Sequence, residues 1–137
     1  MKPTEELMNR FYQHLGDLFY AIAKSDKVVR KEEERVLKEL ITKDWLDLED
    51  SEDVFHTDAA HLIEFAFDAL NERQADAEDR FMEFKLFKQS HEHLFTSKVN
   101  DLIMRTANAI ASSFSGTNKS ELDMLLRLEL MLKIETH

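Results

Sequence analysis

Cysteine, proline and glycine are nearly absent from this sequence: its 137 residues include no cysteine, one proline and two glycines. The lack of cysteine excludes disulfide bonds, zinc sites built on thiolates and thiol catalysis. It is also typical of proteins in a reducing compartment, so we expect a cytoplasmic protein. Because glycine and proline interrupt helices and shape tight turns, their scarcity favours an all-α fold whose helices are joined by short polar loops.

Two further absences limit the partners. No apolar run approaches the roughly 18–20 residues that cross a bilayer, and residues 1–6 lack the apolar stretch of a signal peptide. Basic residues are outnumbered, since 18 lysines and arginines stand against 28 aspartates and glutamates, for a net charge of −10. The basic residues are also scattered, and such a chain repels a phosphate backbone. We therefore expect a soluble protein with neither membrane insertion nor nucleic-acid binding.

Apolar residues recur at spacings of three and four along most of the chain, which predicts amphipathic helices. The length is that of one domain with a substantial core, so residues 1–137 are assigned to a single domain. Thr4 is the predicted cap of the first helix and Thr96 that of the fifth. Six helices are predicted, over residues 4–24, 30–43, 57–72, 77–91, 96–114 and 118–134. Residues 44–56 are predicted to be mainly a loop.

Two of these helices are richer in apolar residues than one buried face requires. In the third helix the inward residues are predicted to be Leu62, Ile63, Phe65, Ala66, Ala69 and Leu70. Phe67 is then an extra aromatic residue. The sixth helix is apolar on most sides, so we expect it to run through the centre of the bundle or to contact a partner's surface.

A thirteen-residue segment occurs twice in the chain, 88 residues apart. Residues 21–33 have the sequence AIAKSDKVVRKEE and residues 109–121 have AIASSFSGTNKSE, with six identical positions. Each copy joins the end of one amphipathic helix to the start of the next through a polar turn. We therefore expect two related helix-turn-helix units, with Ile22 and Ile110 buried at equivalent places.

The first copy resembles the TerB-like tellurite-resistance family in residues 21–26, in Val29 and in the acidic helix start Glu32-Glu33. The same all-helical domain precedes the J domain in some membrane-anchored co-chaperones. The resemblance covers residues 15–41 and, more weakly, residues 103–132. It implies a compact bundle of about six to seven helices, a role in stress-response or membrane-associated complexes, and metal contact through the turn acids. The family has no settled enzymatic activity.

The chain differs from the family pattern at three positions of the two turns. Lys27 stands where the family favours glycine, and Arg30 where a serine or threonine cap is common. Phe114 replaces the turn acid in the second copy.

Asp26, Glu32 and Glu33 are the candidate ligands of a divalent cation at the first turn, because hard cations need several carboxylate or carbonyl oxygens. In the alternative, Asp26 is a turn residue that accepts hydrogen bonds from nearby backbone N–H groups. EF-hand spacing is missing, because the twelfth residue counted from Asp26 is Leu37. Glu33 and its repeat partner Glu121 also suit a capping role at a helix start. We expect weak cation binding at best.

A metal-dependent enzyme is the alternative function from another class. It would place acids of the two turns in a common cleft with His61 and Glu64, which lie three residues apart on one helical face. The sequence has no Glu-x-x-His motif of a di-iron bundle, no glycine-rich phosphate loop and no nucleophile motif. No catalytic residue is therefore assigned.

Residues 44–58 carry seven carboxylates and no lysine or arginine. An acidic docking surface for a basic partner is one interpretation, since its field would accelerate association. The predicted partner-binding residues are Asp47, Glu49, Asp50, Glu52 and Asp53. In the alternative, the apolar residues of the segment anchor it to the chain's own core. These residues are Trp45, Leu46, Leu48, Val54 and Phe55.

These patterns predict a non-catalytic binding or scaffold domain of a stress-response system that resembles tellurite resistance. The expected partner is another protein, and the expected cofactor is a divalent cation at the Asp26 turn if there is one. A structural homodimer formed through the last helix is a third hypothesis.

Overall fold

The computed structural model describes residues 4–46, 59–113 and 119–134 of the chain. These residues form an all-α fold without a β-strand, as the sequence predicts. The α-helices are α1 (Glu5–Lys24), α2 (Lys31–Leu40), α3 (Leu62–Glu72), α4 (Ala77–Ser90), α5 (Ser97–Ala111) and α6 (Lys119–Ile134). None of these six helices has the length and apolar character that spanning a bilayer requires.

Side-chain caps begin three of the helices. The Thr4 hydroxyl accepts a hydrogen bond from the Leu7 N–H at 3.1 Å, and the Thr96 hydroxyl accepts one from the Val99 N–H at 3.2 Å. Asp76 caps α4 in the same way. Each cap satisfies a backbone donor that has no partner inside its own helix. The caps predicted at Thr4 and Thr96 are thus confirmed.

The chain beyond α2 differs from the loop that the sequence predicts. α2 continues into a π-helical turn, Ile41–Trp45, so Asp44 and Trp45 belong to helical structure. Trp45 is fully buried, with its indole N–H donating to the Thr106 hydroxyl at 3.0 Å. Its hydrogen-bonding ring and large apolar area explain why this end of the segment packs instead of remaining in solvent. Residues 47–58, which include the predicted start of the third helix, lie outside the described residues.

Helix α1 is the central helix of the bundle. Every residue from 15 to 23 is buried, and α1 packs against α3, α4, α5 and α6. Small residues let neighbouring helices approach closely: a Cβ built on Gly16 would lie 2.6 Å from the Ala66 Cβ and 2.8 Å from the Ile63 carbonyl oxygen. The one carboxylate in this stretch, Asp17, lies 3.1 Å from His14 and 3.5 Å from Arg80.

The sixth predicted helix, α6, lies at the periphery and not at the centre. One face packs on the core through Met124, Leu125, Leu128 and Leu132. The opposite face exposes Leu122, Leu126 and Leu130. A helix that is apolar on both faces suits either position on its own sequence, and α1, with its glycine and alanines, packs more closely in the centre.

The inward face of α3 is also different from the predicted one. Phe67 is buried and meets Tyr20 edge-to-face, with 5.8 Å between ring centroids. Phe65 is 61% exposed. The two aromatic residues are two positions apart, so only one of them can lie on the stripe that Ile63 and Leu70 define.

Both copies of the repeat have a helix end and a helix start where the sequence predicts them, and residues 114–118 of the second copy lie outside the described residues. The first copy joins α1 to α2, and the second joins the end of α5 to the start of α6. Ile22 and Ile110 are both fully buried. The matched sequence therefore corresponds to matched burial at the two helix ends.

Candidate functional site

The first repeat turn, residues 25–30, holds the acid that the sequence singles out first. Asp26 accepts a hydrogen bond from the Arg30 guanidinium at 2.7 Å and another from the Val28 N–H at 3.2 Å. Lys27 adopts a φ of 80°, a left-handed conformation that glycine adopts at lower cost. Both carboxylate oxygens of Asp26 are thus engaged within the turn, which is the geometry expected of a structural turn residue.

Arg30 occupies the position before α2 where a capping side chain is expected. Its guanidinium is a donor only, so it cannot cap the helix. Its backbone N–H instead donates to Glu33 Oε1 at 2.7 Å. This bond is one half of a capping box, and it draws the Glu33 carboxyl back towards the turn.

Glu33 and Glu121 form a buried pair of carboxyl groups. Their exposed fractions are 1% and 2%, and a side-chain hydrogen bond joins them. Burial raises the pKa of Glu33 to about 8, and the hydrogen bond and charge of Glu121 act in the same direction. The Arg30 N–H, which favours the ionised form, lowers it in part. At neutral pH the pair therefore holds a proton in the hydrogen bond between the two carboxyl groups.

The two members of this pair stand at the same position of the two repeat copies. Glu33 is the third residue of α2 and Glu121 the third residue of α6. The identity of the two positions was visible in the sequence, but their contact was not, because sequence patterns do not show how two helix starts pack. The cation site predicted from the sequence consists of Asp26, Glu32 and Glu33 and does not include Glu121.

The predicted cation ligands are only partly brought together. The charge of Asp26 helps to raise the pKa of Glu33. Glu32 lies half-buried on the same helix and has no hydrogen bond or ion pair with a described residue. Within the described ranges, no three histidine, aspartate or glutamate side chains are grouped as a metal site requires. The cation at Asp26, Glu32 and Glu33 stays a prediction.

His61 and Glu64 contact each other, with 2.7 Å between Nδ1 and Oε1. His61 also stacks beside the exposed ring of Phe65. Among the described residues, His61 and Glu64 belong to no group of three or more acids and histidines that could hold a metal ion.

The five predicted partner-binding acids, Asp47, Glu49, Asp50, Glu52 and Asp53, lie outside the described residues. The start of their segment is anchored by Trp45, as the alternative interpretation expects. Asp44 lies 3.6 Å from Arg105. Docking of a basic partner on this segment stays a prediction.

A second arrangement lies on the outer faces of α4 and α6. Of the seven large hydrophobic side chains that are exposed among the described residues, five are on these two helices. We call them the α4–α6 surface: Met82, Leu86, Leu122, Leu126 and Leu130. Their spacing of four residues along each helix places them in stripes.

A bidentate ion pair joins α4 and α6 in an exposed position beside this surface. The Arg127 guanidinium donates to both Glu78 oxygens, at 2.7 and 2.9 Å, and lies over the Phe81 ring at 4.6 Å from its centroid. The hydrogen bond from Arg127 lowers the pKa of Glu78. The ion pair thus links the two helices that carry the stripes.

Comparison with known proteins finds no match among protein-family models, curated proteins or solved structures. The described residues thus offer two arrangements for a function: the Glu33–Glu121 pair and the α4–α6 surface. The first is closed to solvent. The second is open to it and is the one that a macromolecule can contact directly.

Proposed function

We propose that this chain is a non-catalytic binding domain that uses the α4–α6 surface to hold a protein partner. The observation that carries the proposal is the exposure of Leu122, Leu126 and Leu130, at 51%, 51% and 62%, on a helix whose other face is already buried. A stripe of exposed leucines is costly to keep in water, and grouped apolar side chains are typical of protein interfaces.

The wider setting that we propose is a stress-response complex in the cytoplasm, of the kind that TerB-like domains serve. Support comes from the repeated helix-turn-helix sequence and from Lys27, which has left-handed backbone at the position where the family favours glycine. A binding role also suits a chain in which no catalytic motif is found.

Cross-linking and affinity capture from the native host test this function. The bait is the full chain, compared with Leu126→Glu, which places a charge in the middle of the stripe, and with Phe65→Glu, a matched change on α3. We expect the cross-linked partner to be lost with Leu126→Glu and retained with Phe65→Glu. A partner that survives Leu126→Glu binds elsewhere and contradicts the proposal.

Cation binding at the repeat turns is a second candidate, which the buried carboxyl pair favours. A divalent cation that replaced the proton shared by Glu33 and Glu121 would have acidic ligands from both repeats, with Asp26 nearby. Calorimetric titration with calcium, magnesium, manganese and zinc tests it. We expect weak binding, lost in Glu33→Gln and Asp26→Asn, with a heat that depends on the buffer because a proton is released. Binding that survives both substitutions would place the cation elsewhere.

A further inference from the structure

We infer that the partner of the α4–α6 surface is an amphipathic helix with acidic residues beside its apolar face, lying in the groove between α4 and α6. This inference rests on the proposed function and specifies the chemistry of its partner. The shape of the groove, the flexibility of its apolar residues and its charge carry the inference.

The groove has a volume of about 440 Å³ and lies between α4 and α6. Apolar residues of both helices line it: Phe81, Met82, Leu130 and Met131. A groove lined by two helices accommodates the ridge of a third helix. Methionine is unbranched and adapts to the shape of the side chain that it meets, which suits Met82 and Met131 to this role.

The polar residues of the groove make it basic in a strongly acidic chain. Its basic residues are Lys85, Lys88 and Arg127, and Glu92 is the one acid among the lining residues. Lys88 is paired with Glu92 at 3.0 Å, and Arg127 is paired with Glu78. Lys85 makes no ion pair with any described residue, so the charge that remains open to a ligand is positive.

This positive groove favours an acidic ligand over a second copy of the same chain. Two copies each carry a net charge of −10, so their approach is opposed by long-range repulsion. A short helix that brings its own carboxylates beside Lys85 gains attraction at the groove and meets less of that opposition, because its own net charge is smaller than −10.

The experiment is a selection from a displayed library of helical peptides on the full-length protein, with Leu130→Glu as the counter-selection target. We expect the enriched peptides to repeat apolar residues at i, i+3, i+4 and i+7, with aspartate or glutamate beside them. The strongest peptide, synthesised and titrated by fluorescence anisotropy, should lose about tenfold or more in affinity for Leu130→Glu. It should lose about threefold to tenfold for Lys85→Glu.

Two matched variants control for general effects of charge. Phe65→Glu changes an exposed apolar residue of α3, and Lys31→Glu reverses an exposed lysine of α2. Both should bind the peptide as the wild type does. All four substituted side chains lie at or near the surface, and circular dichroism melts establish that each variant is folded.

Several results would overturn the inference. Enriched peptides with neutral or basic flanks, or peptides whose affinity is unchanged by Leu130→Glu, contradict it. Sedimentation that shows a wild-type dimer dispersed by Leu130→Glu assigns the surface to a second copy and also overturns it. Loss of the native partner with Leu126→Glu, combined with enriched peptides that are not acidic, rejects this inference and leaves the proposed function in place.

Discussion

Glu33 and Glu121 occupy the same position of the two repeats and share a hydrogen bond inside the bundle. Neither carboxyl group is open to solvent. A pair of buried carboxyl groups is stable only when a proton or a cation lies between them, because two adjacent buried charges repel each other. The stability of the junction between the two helix-turn-helix units therefore depends on pH.

The stability of the fold should decrease as the pH rises from about 5 to about 9. In the unfolded chain Glu33 titrates near its ordinary pKa of 4.5, whereas in the folded chain its pKa is about 8. Between these values the folded state binds more protons than the unfolded state, so the free energy of unfolding falls by roughly 3–5 kcal/mol. Urea titrations at several pH values measure this change.

Glu33→Gln should abolish most of that pH dependence, because an amide keeps a hydrogen-bond donor to Glu121 and cannot ionise. Glu32→Gln, on the same helix but outside the pair, should leave the dependence in place. If wild type and Glu33→Gln lose stability equally over this range, the dependence arises from another group.

The two repeat isoleucines should be about equally important to the core. Ile22→Ala and Ile110→Ala each remove buried methyl groups at equivalent helix ends, and each should cost about 2–5 kcal/mol in the free energy of unfolding. Val28→Ala, which changes a 53% exposed side chain, should cost less than about 0.5 kcal/mol. A small effect at only one isoleucine would mean that the two units do not pack alike.

Gly16→Ala should be destabilising although alanine is the better helix former. The added Cβ would lie 2.8 Å from the Ile63 carbonyl oxygen, and α1 and α3 would have to separate. The cost of the clash should exceed the gain of about 1 kcal/mol in helix propensity. We expect a net loss of about 1–3 kcal/mol in the free energy of unfolding. Thermal unfolding measures it, with Gln13→Ala on the exposed side of α1 as the control. Combining Gly16→Ala with Ala66→Gly should restore part of the loss.

The hydrogen bond from Trp45 to Thr106 should hold the end of the π-helical turn in the core. Thr106→Val leaves the buried indole N–H without its acceptor, which should cost about 1–3 kcal/mol. Thr42→Val, at an exposed position of the same turn, is the matched control. Trp45 is the single tryptophan of the chain, so its fluorescence follows unfolding directly. An unchanged midpoint for Thr106→Val would contradict the described contact.

The acidic segment should affect partner binding and not folding. Replacing Asp47, Glu49, Asp50, Glu52 and Asp53 with asparagine or glutamine should leave the melting curve nearly unchanged. If the segment docks a basic partner, capture from the native host should lose a partner whose binding weakens with added salt. An unchanged set of partners would leave the segment with the anchoring role that Trp45 already fills.

The sequence by itself determined the helices, because their causes are local. Thr4 and Thr96 cap the helices that follow them, and apolar spacing of three and four residues marks the elements between. The repeat also indicated that Ile22 and Ile110 would both be buried, at equivalent places of the two units.

Only the tertiary structure decided which helix is central, which of Phe65 and Phe67 faces the core, and that Glu33 meets Glu121. Each of these depends on the close packing of segments that are far apart in sequence. Gly16 lets α3 approach α1 closely. α1 packs against four other helices and is central, whereas α6 lies at the edge with its leucines exposed. Hydrophobic periodicity gives a helix an apolar face, but shape complementarity between helices decides which face is covered.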